Sequence, residues 1–287
     1  MEGQNKVVAI DIDYLKEVYF TFDKPVNYTL LHGVEINIYP VTLENSIYFN
    51  SSYGILDIDK NSSSDPEVIS MSYLKFLLLK VLKEDGRKQQ FYNICHLCLH
   101  MDNPYLILDE NKRAILIEID KETNQPIFSI TQKEFEDIKR IILYQNILNY
   151  DDQYINPDLK KAMKEQDEMM AKNIDVPNLE RRIAIITSHT GLSQKEQYGM
   201  SLRSHSLLFK EVVGEVNYQA VKAISLYAGK ADAVEWIYPK VKNKFDEYIT
   251  SVEEYNKSFG GDGNISSVTN NAQSNDIEKL IKQYGNK

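Results

Sequence analysis

The chain has 287 residues, of which 43% are hydrophobic and 26% are charged, and its formal net charge is −9 at pH 7. This size and composition indicate a globular protein with a buried core, built as one large domain or two ordinary ones. The acidic pI, near 5.2, argues against binding to nucleic acid or to an anionic membrane, because both need a basic face.

The first 150 residues predict a mixed α+β domain with a small antiparallel sheet. Short runs of β-branched and aromatic residues between Pro and Gly predict strands at residues 7–10, 34–38 and 53–58. Apolar positions at helical spacing predict helices over residues 73–83 and 89–99. These elements place a sheet and helices in one N-terminal domain.

A hairpin and a long helix are predicted next. Residues 105–108 and 114–119 alternate in hydrophobicity on either side of a polar turn, and residues 127–130 add a third strand. Thr131 and Glu134 have the spacing of a capping box, in which the Thr and Glu side chains cap each other's backbone N–H groups. We therefore expect a helix from Thr131 to about residue 148.

From residue 157 onward the sequence predicts helices alone. Residues 157–173 are charged and suit a solvated linking helix. Asn178 begins the next helix and Gly191 ends it, and Ser193 with Glu196 forms a second capping box. Ser201 caps a third helix with one apolar side, and separate helices are expected over residues 216–228 and 231–259.

The predicted organisation therefore has five parts. They are an α+β domain (1–150), a charged helical linker (151–176), an all-helical domain (177–259), a flexible Gly-, Ser- and Asn-rich linker (260–274) and a short terminal helix (275–287). The N-terminal residues lack a secretory signal, and the longest apolar run, residues 76–82, is too short to cross a bilayer. We expect a cytoplasmic protein.

Several residue groups that could take part in catalysis or metal binding fit a structural role better than a chemical one. The segment CHLCLH (95–100) suggests zinc or thiol chemistry, but no second cysteine pair completes a zinc site. We expect Cys95 and Cys98 to be buried, unpaired thiols. The Asp-Ile-Asp pairs at 11–13 and 57–59 could be magnesium ligands, yet alternating acids more often form the solvent face of a strand. We predict no catalytic site, metal or cofactor; a thiol- or zinc-dependent enzyme is an alternative.

Partner contacts are expected at apolar side chains on helices. The terminal helix is marginal alone in water, so it either folds back on its own domain or serves as a recognition peptide. Three other apolar side chains suit a buried position as well as a partner contact. The predicted contact residues are Leu280, Ile281 and Tyr284 in the terminal helix, and more weakly Leu207, Leu208 and Trp236.

Four segments in this order carry a family resemblance. They are YPVTL (39–43), ISMSYL (69–74), ITQKEFEDIKRIILYQN (130–146) and TGLSQKEQYGMSL (190–202). Together they resemble tail assembly chaperone-like proteins of phages that infect Gram-positive bacteria, over roughly residues 34–240. The matching residues are helix caps and core positions.

The resemblance implies a non-enzymatic protein in the cytoplasm of the infected host cell. It implies that the chain binds the tape measure protein while the tail tube polymerises around it, and is lost before the virion is complete. The C-terminal tail departs from the family pattern, and either recruits tube subunits or anchors a structural protein in the particle. The alternative is a permanent virion protein of the tail or baseplate. Self-association is left open by the sequence.

Overall fold

The computed structural model describes residues 10–152 and 176–228, together with seven residues between 159 and 169. The chain divides into two units, Met1–Trp236 and Ile237–Lys287, and every described residue belongs to the first. Its architecture is α+β, as predicted, with antiparallel sheets of two and three strands among helices. Trp236, most of the predicted linker and the whole tail, including Leu280, Ile281 and Tyr284, lie outside the described residues.

The described chain begins with helix α1 (Ile12–Val18) and a two-stranded hairpin. The Asp11 carboxylate caps α1 by accepting hydrogen bonds from the backbone of Asp13 and Tyr14, both at 3.1 Å. The interpretation of residues 11–13 as the solvent face of a strand is therefore wrong. Strands β1 (Val26–Thr29) and β2 (Glu35–Ile38) pair antiparallel, which confirms the predicted strand at 34–38.

The predicted strand at 53–58 is also wrong. Helix α2 (Ser46–Ser52) runs there into a 3₁₀ turn over Tyr53–Ile55. Successive strand residues point to opposite faces, whereas Ile55 and Leu56 are both buried, at 0% and 1% exposure. Farther on, Asp59 caps another 3₁₀ turn, Lys60–Ser62, by accepting a hydrogen bond from the backbone N–H of Asn61 at 3.0 Å.

Three helices follow, and their apolar faces enter the core. Helix α3 (Pro66–Ser70) leads to α4 (Tyr73–Phe76), which continues as a π-helical stretch over Leu77–Val81. This confirms the predicted helix at 73–83, apart from its π-helical second half. Helix α5 (Asp85–Leu99) starts four residues before the predicted position, with Gly86 inside its first turn.

The three-stranded sheet has the predicted hairpin and third strand. Strands β3 (Pro104–Leu108), β4 (Ala114–Ile119) and β5 (Pro126–Ile130) form an antiparallel meander in the order β3-β4-β5. Along β4 every second side chain is buried, including that of Glu118. The Glu118 carboxylate accepts from the backbone of Asp102 and Asn103 at 3.0 and 3.1 Å, which satisfies a buried charge.

Helix α6 (Gln132–Asn146) is the central helix of the core and begins with the predicted capping box. Glu134, only 2% exposed, accepts from the backbone and hydroxyl of Thr131 at 2.7 and 2.5 Å. Its other oxygen accepts from the backbone of Leu31 at 2.6 Å, so the cap also fixes the β1–β2 loop. The helix ends at Asn146, two residues before the predicted end, because Ile147 is extended.

The last described helices are α7 (Leu179–Thr190), α8 (Gln194–Tyr198) and α9 (Leu202–Ala228). Gly191 ends α7 in the left-handed region, with φ +75°, where glycine carries no steric penalty. The two helices expected over 201–228 are one continuous helix of 27 residues. Among the described helices, none has the length and apolar character needed to cross a membrane.

His205 is a buried titratable group in the first turn of α9. Its side chain is 3% exposed, and its backbone N–H donates to Ser201 at 2.9 Å. Burial lowers the pKa of the imidazole, and the nearby positive charge of Arg182 lowers it further. The folded protein therefore keeps this ring neutral at a pH where the unfolded chain would protonate it.

The two capping boxes give a matched stability test. We expect Glu134→Ala to lower the free energy of unfolding by about 3 kcal/mol, because it leaves three part-buried donors without their acceptor. Glu196→Ala removes the same motif from α8 at the surface, where water replaces the carboxylate, so its loss should be clearly smaller. Urea denaturation of both variants measures the difference; equal losses would contradict it.

The buried imidazole predicts a pH dependence of stability. Because the folded pKa of His205 lies below the unfolded value near 6.5, stability is full above about pH 7 and falls as pH drops through 6.5. We expect His205→Gln to flatten the slope of unfolding free energy against pH between about 7 and 5. Urea titrations across this range test it. An unchanged slope would mean that other groups cause the pH dependence.

Candidate partner-binding groove

Three of the four segments that carry the resemblance meet at one backbone junction. The backbone N–H of Val41 donates to the Asn146 side chain at 2.7 Å. The N–H of Leu43 donates to the Met200 carbonyl at 2.8 Å, and that of Leu202 donates to Val41 at 2.9 Å. Residues 39–43 are thus hydrogen-bonded both to the end of α6 and to the start of α9.

The fourth segment joins the same framework. The backbone N–H of Tyr73 donates to Glu136 on α6 at 3.2 Å, and its buried hydroxyl donates to the Ile55 carbonyl at 2.8 Å. Burial raises the pKa of this phenol well above its usual value. The residues that make these contacts therefore build the frame of the molecule.

Asp23 fastens the start of α9 to the first part of the chain. Its carboxylate accepts from the hydroxyls of Ser201 and Ser204 at 2.6 and 2.7 Å. Asp23 has φ +52°, in the left-handed region where Asp and Asn are tolerated better than most residues. Asp23 thus forms hydrogen bonds to two serines that lie 178 and 181 residues farther along the chain.

An open groove of about 510 Å³ lies beside this junction, between α2, α7 and α8. Its lining combines apolar side chains, two polar groups and two carboxylates. The lining residues are Leu43, Glu44, Ser46, Ile47, Leu179, Glu180, Ile183, Gln194 and Tyr198. Ile47 is 73% exposed and Tyr198 is 41% exposed, so large apolar side chains are presented to solvent at this groove.

Local caps hold the walls of the groove. Asn178 caps α7 by accepting from the backbone of Arg181 at 2.9 Å, and the Ser193 capping box starts α8. Buried Gln197 ties the two helices together, since its amide donates to the Thr187 hydroxyl at 2.9 Å and to the Ile183 carbonyl at 3.3 Å. The α7 and α8 walls are therefore fixed to each other.

The predicted contact residues on α9 lie outside the lining of this groove. Leu207 is 44% exposed and Leu208 is half-buried, and neither belongs to the lining residues. The apolar groove residues Ile47 and Tyr198 were missed from the sequence. The sequence signal for Ile47 was the run Ile47-Tyr48-Phe49, since three consecutive large apolar residues on one helix cannot all face the core. In the structure only Phe49 of the three is buried.

The outer face of the three-stranded sheet is a second apolar surface. The register places Tyr105 opposite Ile117 and Ile107 opposite Ile115 on the side of the sheet away from buried Ala114 and Leu116. Tyr105 and Ile107 are 45% and 43% exposed, and Ile127 on β5 is 56% exposed. This face is therefore a second candidate surface for binding a partner.

Cys95 and Cys98 are buried, unpaired thiols, as predicted. Cys95 and Cys98 are free thiols with 1% and 0% exposure, and burial raises the pKa of both. Neighbouring His96 lies at the surface, with its Nδ1 4.0 Å from the Asp102 carboxylate. In the described parts of the chain, no group of three or more His, Cys, Asp or Glu side chains could hold a metal ion.

Comparison of the chain with protein-family models, with curated proteins and with solved structures found no match.

The link through Asp23 can be tested with a matched pair of variants. We expect Asp23→Ala to lower the free energy of unfolding by about 2–3 kcal/mol, because it removes the acceptor and also disfavours the left-handed backbone. Asp23→Asn keeps an acceptor oxygen and tolerates this backbone, so it should lose less than half as much. Urea denaturation measures both. Similar losses in the two variants would show that the hydrogen bonds do not hold α9.

Proposed function

We propose that the chain is a non-enzymatic tail assembly chaperone of a phage that infects Gram-positive bacteria, and that it binds the tape measure protein during tail tube assembly. One observation carries this proposal. Two of the segments that resemble this family contribute Leu43, Gln194 and Tyr198 to the lining of the same open apolar groove. The residues that carry the resemblance and this candidate binding surface therefore coincide.

The groove suits a helical client. An amphipathic helix binds a groove through a few apolar side chains on one face, spaced three or four residues apart. Leu179, Ile183 and Ile47 offer apolar walls for such side chains, and the exposed ring of Tyr198 provides the kind of aromatic group that is enriched among strong contact residues. Several weak sites of this kind would hold a long client without trapping it.

The proposed site of action is the cytoplasm of the infected host cell, where the tail assembles. A permanent tail or baseplate protein would use the same surfaces for fixed subunit contacts. Quantitative mass spectrometry of purified virions and of infected-cell lysate separates these two functions. A chaperone should be abundant in lysate and lacking from virions, whereas stoichiometric recovery in virions would overturn the proposal.

Client capture tests the groove directly. We expect Ile47→Ser combined with Tyr198→Ser to weaken binding of the full chain to the tape measure protein of the same phage by about tenfold or more. Ile127→Ser, at an exposed position on β5 of the three-stranded sheet, is the matched control and should bind like the wild type. Biolayer interferometry with the immobilised tape measure protein measures the three affinities.

Each outcome of this comparison has one meaning. Both substituted groove side chains are at least 41% exposed, so the variants should keep the melting temperature of the wild type. Loss of binding in Ile127→Ser alone would place the client on the sheet. Absence of binding by the wild type would overturn the proposed function.

A further inference from the structure

We infer that the groove between α2, α7 and α8 binds an amphipathic helix that carries Lys or Arg residues beside its apolar stripe. The inference rests on the proposed function, because it names the chemistry of the client segment at the same groove. It depends on three properties of the lining: the type of side chain, the sign of the charge and one buried hydroxyl.

The lining is suited to binding a partner through its side chains, and not through the addition of a partner strand to a sheet edge. The groove walls come from helices and from the 3₁₀ turn Leu43–Asn45, so its lining offers no strand edge to which an extended peptide could add. Its volume, about 510 Å³, is within the range of typical ligand sites. A helix that inserts its apolar side chains suits this lining.

Two carboxylates give the groove its charge. Glu44 lies on the 3₁₀ turn and Glu180 in the first turn of α7, and both are exposed. Among the nine lining residues these are the two charged side chains, and both are negative. Neither takes part in an ion pair among the described residues. Positive groups on a partner would therefore meet complementary charge at the groove.

A buried hydroxyl is the third property. Ser46 lines the groove at 2% exposure, and its Oγ has no hydrogen-bond partner among the described residues. Buried polar groups in proteins are almost always paired. A hydroxyl can accept a hydrogen bond from an ammonium or guanidinium group, so a basic side chain that enters the groove and reaches Ser46 would satisfy its Oγ.

The charge of the whole chain acts in the same direction. A net charge of −9 attracts a basic partner over a distance and raises the rate of encounter, most strongly at low salt. This general attraction does not depend on the groove. An experiment must therefore distinguish the effect of the two groove carboxylates on binding from the effect of the total charge of the chain.

A charge-reversal experiment makes this separation. The probes are two fluorescent amphipathic peptides of about 18 residues, long enough for an isolated helix, with Leu on one face and either Lys or Glu beside it. We expect the wild-type chain to bind the Lys peptide at least about tenfold more tightly, and Glu44→Lys with Glu180→Lys to reverse this preference. Fluorescence anisotropy at low and at physiological salt measures both.

The matched control changes the total charge equally at a distance from the groove. Glu110→Lys and Glu122→Lys lie in the two turns of the three-stranded sheet, where both side chains are exposed. We expect this double variant to keep most of the wild-type preference for the Lys peptide. An equal effect of both double variants would show that only total charge matters, and would overturn the inference.

The same variants distinguish this inference from the proposed function. If the wild type captures the tape measure protein and the groove reversal captures it equally well, the inference fails while the chaperone function stands. If the peptide preference reverses but the wild type captures no tape measure protein, the groove chemistry is correct and the chaperone function fails.

Discussion

Every buried backbone N–H group needs an acceptor, and segment 39–43 finds its acceptors on three different parts of the chain. Tyr39 donates to the Cys98 carbonyl of α5, Val41 to Asn146 of α6, and Leu43 to Met200 just before α9. The bond through Asn146 is the most demanding, because a side chain that is itself only 4% exposed serves as the acceptor. This segment sets the relative positions of the three longest described helices.

The groove is a consequence of that arrangement. The 3₁₀ turn that carries Glu44 begins at Leu43, the last residue of segment 39–43, and α8 ends two residues before Met200. Fastening Leu43 to Met200 therefore brings the start of α2 beside α7 and α8, although about 150 residues separate Ile47 from Tyr198. The residues of the frame determine which apolar and acidic side chains line one opening, and one of them, Leu43, lines it too.

Local signals in the sequence predicted much of the frame. The boxes at Thr131 and Ser193 were recognisable because a cap involves residues only three positions apart, and the β3–β4 hairpin had a polar turn between alternating strands. Residues 53–58 were wrongly predicted as a strand. Their β-branched and aromatic side chains favour a strand by intrinsic propensity, but tertiary packing overrides this propensity and buries them around a 3₁₀ turn. The groove could not be predicted, since helical spacing identifies an apolar side chain but not the distant element that covers or exposes it.

The burial of Cys95 and Cys98 gives the molecule two built-in reporters of its own breathing motions. A thiol reacts with alkylating reagents as the thiolate, and here burial both shields the sulfur and disfavours that anion. Modification must therefore wait until α5 separates from the core. The rate of labelling, compared with that of an unfolded chain, would report the free energy of that local opening. Segment 39–43 is hydrogen-bonded to this helix at Cys98, so the same rate would show whether the frame opens in parts or as a whole.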